Sequence, residues 1–527
     1  MNPHDADPQD CDPQDCATTG HVFIVGAGPG DPGLITVKGA GLLAAADVVL
    51  YDDLLDTRLL EQTRPDCVRV YAGHRGGRRP DGDHSRQDEV NHRLIAEARA
   101  GRCVVRLKGG DPYIFGRGGE EAIALHEAGI PFEVVSGVSA ASAALAYAGI
   151  PLTHRNLATT ATLVTGHESQ GQEGPGVDWA ALARLGGTLV VFMGSRRLSM
   201  ITEALIAGGR AGSTPAAAIQ WGTWPAQHTV VADLQTLAQR TAEGGIASPA
   251  LIVVGEVIDL RDALNWFENK PLFGRQLLIT RSQEQSGPLQ WLLESEGAEV
   301  HTLPLLEISA PEDGASVDAA ISRLQDFAWV VFTSPNSVRY FFDRLHYLRR
   351  DARAFGPAQI AAVGQATAQY LRDRGIEPDL LPETQSASGL AQSFEGLDLH
   401  DKEILLPASS IGRTELDAEL TRQGARVLRI TAYENRPPDP ATVELPAALT
   451  EGRLDCILFA SPSSARNFLE IVGPETGRQY LHNVAIAAIG PTTARAVEEL
   501  GLVVTIQPTD SSIAALVGAL CDHYGRR

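Results

Sequence analysis

Short, almost continuously apolar runs recur along the chain and are separated by longer stretches of mixed character. His21–Val25, Val48–Tyr51 and Phe132–Val135 have the length and β-branched content of buried strands. Gln87–Ala100 and the small-residue stretch Ser139–Ala148 read as helices. Gly149–Arg155 reads as a linker, after which the alternation resumes. Strands are predicted at Thr162–Thr165, Thr188–Met193, Ala216–Gln220 and Ala250–Val254, with helices between them. Strands alternating with helices predict α/β layers. A boundary falls near residues 265–274, where Leu264, Trp266 and Phe267 precede a Lys-Pro-Leu-Phe-Gly turn.

The rest of the chain is duplicated. Leu277–Arg281, Gly297–Val300 and Val331–Ser337 return as Ile404–Ala408, Gly424–Val427 and Leu458–Ser464, each 127 positions on, and Ala362–Ala368 returns as Ala488–Ala494, 126 positions on. Each copy carries strand, helix, strand, serine-rich turn, helix, strand, glycine turn, helix, which predicts a doubly wound parallel unit used twice with a cleft between the two. The repeated turns place Ser334, Asn336 and Ser337, and again Ser461, Ser463 and Ser464, where a strand gives way to a helix. Thr367, Thr492 and Thr493 follow the glycine turns in the same way. Hydroxyl side chains at helix starts can simply cap. Four such turns at corresponding strand ends favour a site for a polyanion held by helix N-termini.

Composition narrows the class of partner. At 527 residues the chain exceeds one core, and its 44% apolar and 21% charged residues are those of globular protein. The net charge of −21 argues against a nucleic-acid partner, which needs a basic field. No apolar run is long enough to span a bilayer and no secretory h-region opens the chain, so no membrane partner and a cytoplasmic location are expected. Residues 1–19 hold the tandem DPQDC at Asp7–Cys11 and Asp12–Cys16 and are expected to be a disordered acidic tail. The six cysteines form no ligand pattern, so no metal is expected.

The densest candidate chemistry lies in Val105–Glu121, VRLKGGDPYIFGRGGEE. Gly109, Gly110, Gly116, Gly118 and Gly119 at a strand end allow sharp turns and close approach of a ligand to the backbone. Asp111 accepts hydrogen bonds there, and Arg106, Lys108 and Arg117 form a local cationic cluster suited to an acidic substrate. Glu120 and Glu121 read as the first turn of a helix. Gly26–Gly33 imitates a dinucleotide fingerprint, but Asp31 stands at the third glycine and Pro29 and Pro32 remove N–H donors, so NAD is not expected. Asp52 ends a strand, where it can be a ribose ligand or a base. His74, Arg75, Arg78 and Arg79 make a second cationic loop. In the duplicated half no GxSxG, HExxH or Walker lysine is present, which favours a lyase or cyclase that holds a reactive substrate in shape over a hydrolase.

Residues 20–267 closely resemble uroporphyrinogen-III C-methyltransferases of the tetrapyrrole methylase family. The resemblance runs through VGAGPGDPGLIT, ADVVLYD, the Val105–Glu121 stretch, AGIPLTHR, VTGH and the FMG and WGT turns. Residues 275–527, after a linker at 268–274, resemble uroporphyrinogen-III synthase through ITR, FTSPNSV, VGQATA, TAYEN, FASPSSARNF and AIGPTTA. The first resemblance implies S-adenosylmethionine against Pro29, Gly109, Gly110, Asp111, Ile114, Ser139, Ala140, Met193 and Gly222, with Asp52 as proton acceptor. His74 stands where the family often has a lysine linked to proton donation. A histidine donor has a pKa nearer neutrality, so activity is expected to fall at higher pH. The family's Pro-Gly is here Ser136-Gly137, and its Thr is Ser139.

The second resemblance implies closure of linear hydroxymethylbilane with loss of water and inversion of the last ring, with Tyr433 assisting loss of the hydroxyl. It also implies two chain crossings between lobes, with one lobe built from about 274–308 plus 436–527. The whole is expected to be a two-lobed methylase unit followed by a two-lobed, internally duplicated α/β synthase unit. Its expected function is to make uroporphyrinogen III and methylate it twice to precorrin-2, towards sirohaem and cobalamin. Later oxidation and metal insertion are expected from other proteins, and homodimers are usual for the methyltransferase family. The alternative is methylation of another corrinoid intermediate, with the second half a non-catalytic tetrapyrrole-binding module.

Overall fold

The computed structural model describes residues 20–73, 82–166, 176–281, 283–410 and 414–525. The chain forms two compact units, one of the residues up to Arg275 together with Glu294–Glu299, the other of Gln276–Leu293 and the chain from Val300 on. No helix among the described residues is long and apolar enough to cross a membrane.

The first unit has two sheets. Strands β1 (His21–Gly26), β2 (Val48–Tyr51), β3 (Val68–Tyr71), β4 (Cys103–Lys108) and β5 (Phe132–Val135) lie in the order β3-β2-β4-β1-β5, all parallel. Val22, Ile24, Val25, Val48, Val49, Val104 and Val105 are fully buried, because helices cover both faces of a parallel sheet and leave no polar side. The helix predicted from Gln87 runs over Gly82–Arg99, and the small-residue helix over Ala140–Tyr147 with Ser139 as its N-cap.

The second sheet comprises β6 (Ala161–Thr165), β7 (Thr188–Phe192), β8 (Pro215–Gln220), β9 (His228–Asp233) and β10 (Ala250–Val254) in the order β6-β7-β10-β8-β9. It is mixed: only β6 and β7 run parallel. Strand β9 was not predicted. It is an edge strand with no fully buried residue, so its sequence, HTVVAD, lacks the apolar run that marks its neighbours.

The second unit exchanges the halves of the duplicated copies. One sheet joins β11 (Gln276–Ile279) and β12 (Glu299–Thr302) from the first copy to β18 (Cys456–Phe459) and β19 (Ala485–Ala488) from the second, in the order β12-β11-β18-β19. The other sheet contains β13 (Glu307–Ser309), β14 (Trp329–Phe332), β15 (Gln359–Ala362), β16 (Glu403–Ser409) and β17 (Arg426–Arg436), in the order β13-β17-β16-β14-β15. The chain therefore crosses from one sheet to the other between Thr302 and Glu307 and returns after Arg436. The β13–β17 pairing is antiparallel, a departure from an all-parallel unit. The remaining pairings preserve the duplication: β11 lies parallel to β18 as β14 does to β16, and the isolated bridges Ala361–Leu380 and Ala487–Ile506 correspond.

Candidate active site

In the first unit, three loops at the C-terminal ends of parallel strands converge on glycines. A Cβ at Gly137 would lie 2.2 Å from the Gly110 carbonyl oxygen and 2.6 Å from the Cα of Gly26. Gly110 (φ +69°) donates to the Gly28 carbonyl at 2.7 Å, and Gly28 in turn donates to that of Gly110 at 3.3 Å. Asp111 fixes this junction: Oδ2 accepts from Gly137 N at 3.0 Å and Oδ1 from Tyr113 N at 2.8 Å. A carboxylate has four lone-pair sites, so Asp111 retains capacity for a ligand. Gly109 packs on the Asp52 loop, where its Cβ would meet the Leu54 carbonyl oxygen at 2.8 Å.

The second sheet delivers its own strand ends to the same loops. Trp224 Nε1 donates to the Pro29 carbonyl at 3.1 Å, and Asp31 N to Thr223 Oγ1 at 3.0 Å. Tyr147 donates to Asp31 Oδ2 at 2.6 Å, and burial together with that carboxylate raises the phenol's pKa, keeping it a donor. Phe115, from the glycine-rich loop, packs against Phe192 with ring centroids 5.0 Å apart. Met193 follows Phe192 and is half exposed. Gly222 lies against the helix Ala140–Tyr147, where a Cβ would meet that of Ala144 at 2.3 Å. Seven described non-glycine residues have positive φ, and five of them are here: Phe115, Arg117, Met193, Trp221 and Thr223. Backbone strain of this kind concentrates at binding sites. Pro29, Ile114, Ser139 and Ala140 are partly buried at the same junction. Sequence reasoning missed Asp31, Tyr147, Thr223 and Trp224. The glycine-bearing WGT turn was the available signal for the last two.

Asp52 stands just past β2 and is partly exposed, and its Oδ1 accepts from Arg106 Nη2 at 2.7 Å. Arg106 and Lys108 require a correction. Both were expected to meet an acidic substrate, and both are buried. They alternate on the central strand β4, so they share a face, and that face is covered by the helix Gly118–Glu127. Glu121 on that helix is wholly buried and accepts through Oε1 from Arg106 Nε at 3.0 Å and Lys108 Nζ at 2.9 Å. Burial and the neighbouring Arg106 guanidinium lower the Lys108 pKa. Burial raises that of Glu121, and the two cations outweigh it and hold the carboxyl below its usual range. Arg117 is half-buried at the start of the same helix and pairs with Glu120 at 2.8 Å. His74, Arg75, Arg78 and Arg79 lie outside the described residues.

In the second unit, Tyr433 is buried on β17, stacked on Tyr340 at 5.9 Å, and its hydroxyl lies 3.1 Å from Ser334 Oγ at the end of β14. Ser334 and Ser461 form equivalent capping boxes: each Oγ accepts from the backbone N of Ser337 or Ser464. Capping is thus realised at both turns. Asn336 and Ser463 are partly buried beside them, and Ser463 Oγ lies 3.0 Å from Ser461 Oγ. Thr492 is exposed at its helix start. Thr493 needs correction as a substrate contact. It is buried, because the third position of its helix turns inward, as Ser337 and Ser464 do.

Comparison with known proteins agrees with this division. Residues 21–238 match the family described as Tetrapyrrole (Corrin/Porphyrin) Methylases, and residues 288–518 match Uroporphyrinogen-III synthase HemD. A porphyrin biosynthesis protein HemD of Ruminiclostridium josui is 35% identical over 483 residues, spanning 92% of this chain and 94% of that protein. A uroporphyrinogen-III C-methyltransferase of Bacillus subtilis (strain 168) is 39% identical, over 72% of this chain and 78% of its own length. A siroheme synthase of Chromobacterium violaceum is 50% identical over 47% of this chain and 52% of its own length, so the chain spans about half of that relative.

Proposed function

Because the chain belongs to the tetrapyrrole methylase family over its first unit and to the uroporphyrinogen-III synthase family over its second, we propose that it closes hydroxymethylbilane to uroporphyrinogen III and methylates that macrocycle twice to precorrin-2. The observation that carries the methylating half is the junction of glycine backbones, Met193 and Gly222 beside the Asp52 loop. Pro29, Gly109, Gly110, Asp111, Ile114, Ser139, Ala140, Met193 and Gly222 would hold S-adenosylmethionine there. That group supplies a sulfonium-activated methyl when bound, so orientation contributes much of the remaining rate. Main-chain donors and acceptors suit it: the convergence of Gly26, Gly110 and Gly137 leaves backbone rather than side chains at the centre.

Methylating a ring carbon leaves a proton to be lost from the macrocycle. Asp52, partly exposed with Oδ1 already engaged by Arg106, accepts that proton on its second oxygen. Arg117 at the start of its helix is the described cation of the glycine loop still placed to meet a substrate carboxylate. In the second unit, Tyr433 donates its proton towards the departing hydroxyl, oriented by Ser334. The helix starts at Ser334, Asn336, Ser461, Ser463 and Thr492 receive carboxylates of the substrate. A homodimer formed through the methyltransferase half fits the family.

Purified protein given S-adenosylmethionine and either uroporphyrinogen III or a more highly methylated corrinoid precursor tests the methyl acceptor. Two methyl groups added to uroporphyrinogen III, read by mass, are expected. Methylation of the other acceptor alone would replace this reading with the corrinoid alternative.

A further inference from the structure

The geometry points to Arg106, held by Glu121, as the positioning residue that orients Asp52 for proton removal during methyl transfer. The inference rests on the reading of Asp52 as the proton acceptor. All three guanidinium nitrogens of Arg106 are engaged: Nε donates to Glu121 Oε1 at 3.0 Å, Nη2 to Asp52 Oδ1 at 2.7 Å, and Nη1 to the Leu107 carbonyl at 3.3 Å. A planar fork fixed at three corners cannot swing towards a substrate. It can hold one carboxylate oxygen in place, and Asp52 Oδ2 accepts no hydrogen bond from the described residues.

Glu121 is the hub of this arrangement. Its Oε1 receives Arg106, Lys108 at 2.9 Å and Gln87 at 3.2 Å, while Oε2, equally buried, has no partner among the described residues. Burying ions is costly, and an apolar set of similar volume would serve a core as well or better. A chain of charges that is wholly buried at Glu121 and emerges at a partly exposed Asp52 is therefore better explained by what it does to Asp52 than by stability. Glu121 lies in the helix that continues directly from the glycine-rich loop, so the network also ties the base to the loop that would hold the methyl donor. In the step itself, a C–H bond of the methylated macrocycle breaks, its electron pair stays in the ring system, and the proton moves to Asp52 Oδ2, to be released to water before the second methylation.

A double-mutant cycle on the full chain tests this. Arg106→Gln, Asp52→Asn and the double variant are compared for single-turnover methylation of uroporphyrinogen III, for KM, and for S-adenosylhomocysteine affinity by calorimetry. Arg106→Gln is expected to slow methylation about 30-fold and Asp52→Asn about 100-fold, with KM and affinity within about 3-fold. The double variant should be no slower than Asp52→Asn alone, since there is then no base to position. A full further loss in the double variant, or a raised KM with the rate unchanged, overturns the inference. Should Arg106→Gln not fold by circular dichroism, Glu121→Gln is read in its place, with a loss of about 5-fold that again vanishes on the Asp52→Asn background. Full activity in Asp52→Asn would remove the base assignment and the inference with it. Loss in Asp52→Asn without loss in Arg106→Gln would remove the inference alone.

Discussion

Individual side chains show where charge and hydroxyl patterns mislead. Arg106 and Lys108 read as part of a cationic cluster open to an acidic substrate because they adjoin Gly109-Gly110, yet they belong to β4 and are covered by the helix carrying Glu121. The signal for burial was present in the chain: Val104, Val105 and Leu107 surround them, and a cation inside such a run needs a buried partner. No spacing rule pointed to Glu121, because its position depends on how a helix crosses the sheet. The serine-rich turns were ambiguous in sequence, and both possibilities meet at Ser334, which caps its helix and also bonds Tyr433. Ser334→Ala removes both contacts. It should cost about 1 kcal/mol in unfolding stability and slow cyclisation of hydroxymethylbilane about 10-fold. Methylation of supplied uroporphyrinogen III should be unchanged. A stability loss with normal cyclisation would reduce Ser334 to a cap.

Among the elements, the apolar runs located the buried strands well, with shifts of a residue or so at their ends, because a strand with no solvent face is mostly apolar and admits charge only where a buried partner meets it, as Glu121 meets Arg106 and Lys108 on β4. The edge strand β9 escaped because, with no residue fully buried, it needs no long apolar run, and its Val230, Val231 and Ala232 are flanked by His228, Thr229 and Asp233. Glycine loops were visible as loops, but which glycine meets which was not, because the contacts join segments far apart in the chain. Gly137 is the sharpest case. Its hydrogen is the only group that fits against the Gly110 carbonyl and Gly26. Gly137→Ala should force the two loops apart at a cost of about 2 kcal/mol and weaken S-adenosylhomocysteine binding at least about 10-fold, measured by calorimetry. Undiminished binding would show that the convergence of these loops does not shape the ligand site.

For the whole molecule, the duplication was legible directly, and the structure extends it to paired capping boxes and paired bridges. The exchange of halves between the two sheets was not legible from the repeat itself, because two complete copies and two exchanged ones have the same sequence pattern. The expectation of two crossings came from the resemblance to the synthase family, and the sheet orders show them. The central claim is that one chain performs cyclisation and methylation in sequence. Hydroxymethylbilane given to the purified full-length protein, with and without S-adenosylmethionine, tests it most directly, with products followed by absorbance and mass. Uroporphyrinogen III is expected without the methyl donor, and a doubly methylated product with it. Formation of only the I isomer, the product of spontaneous closure, would contradict the claim and leave the second unit without synthase activity.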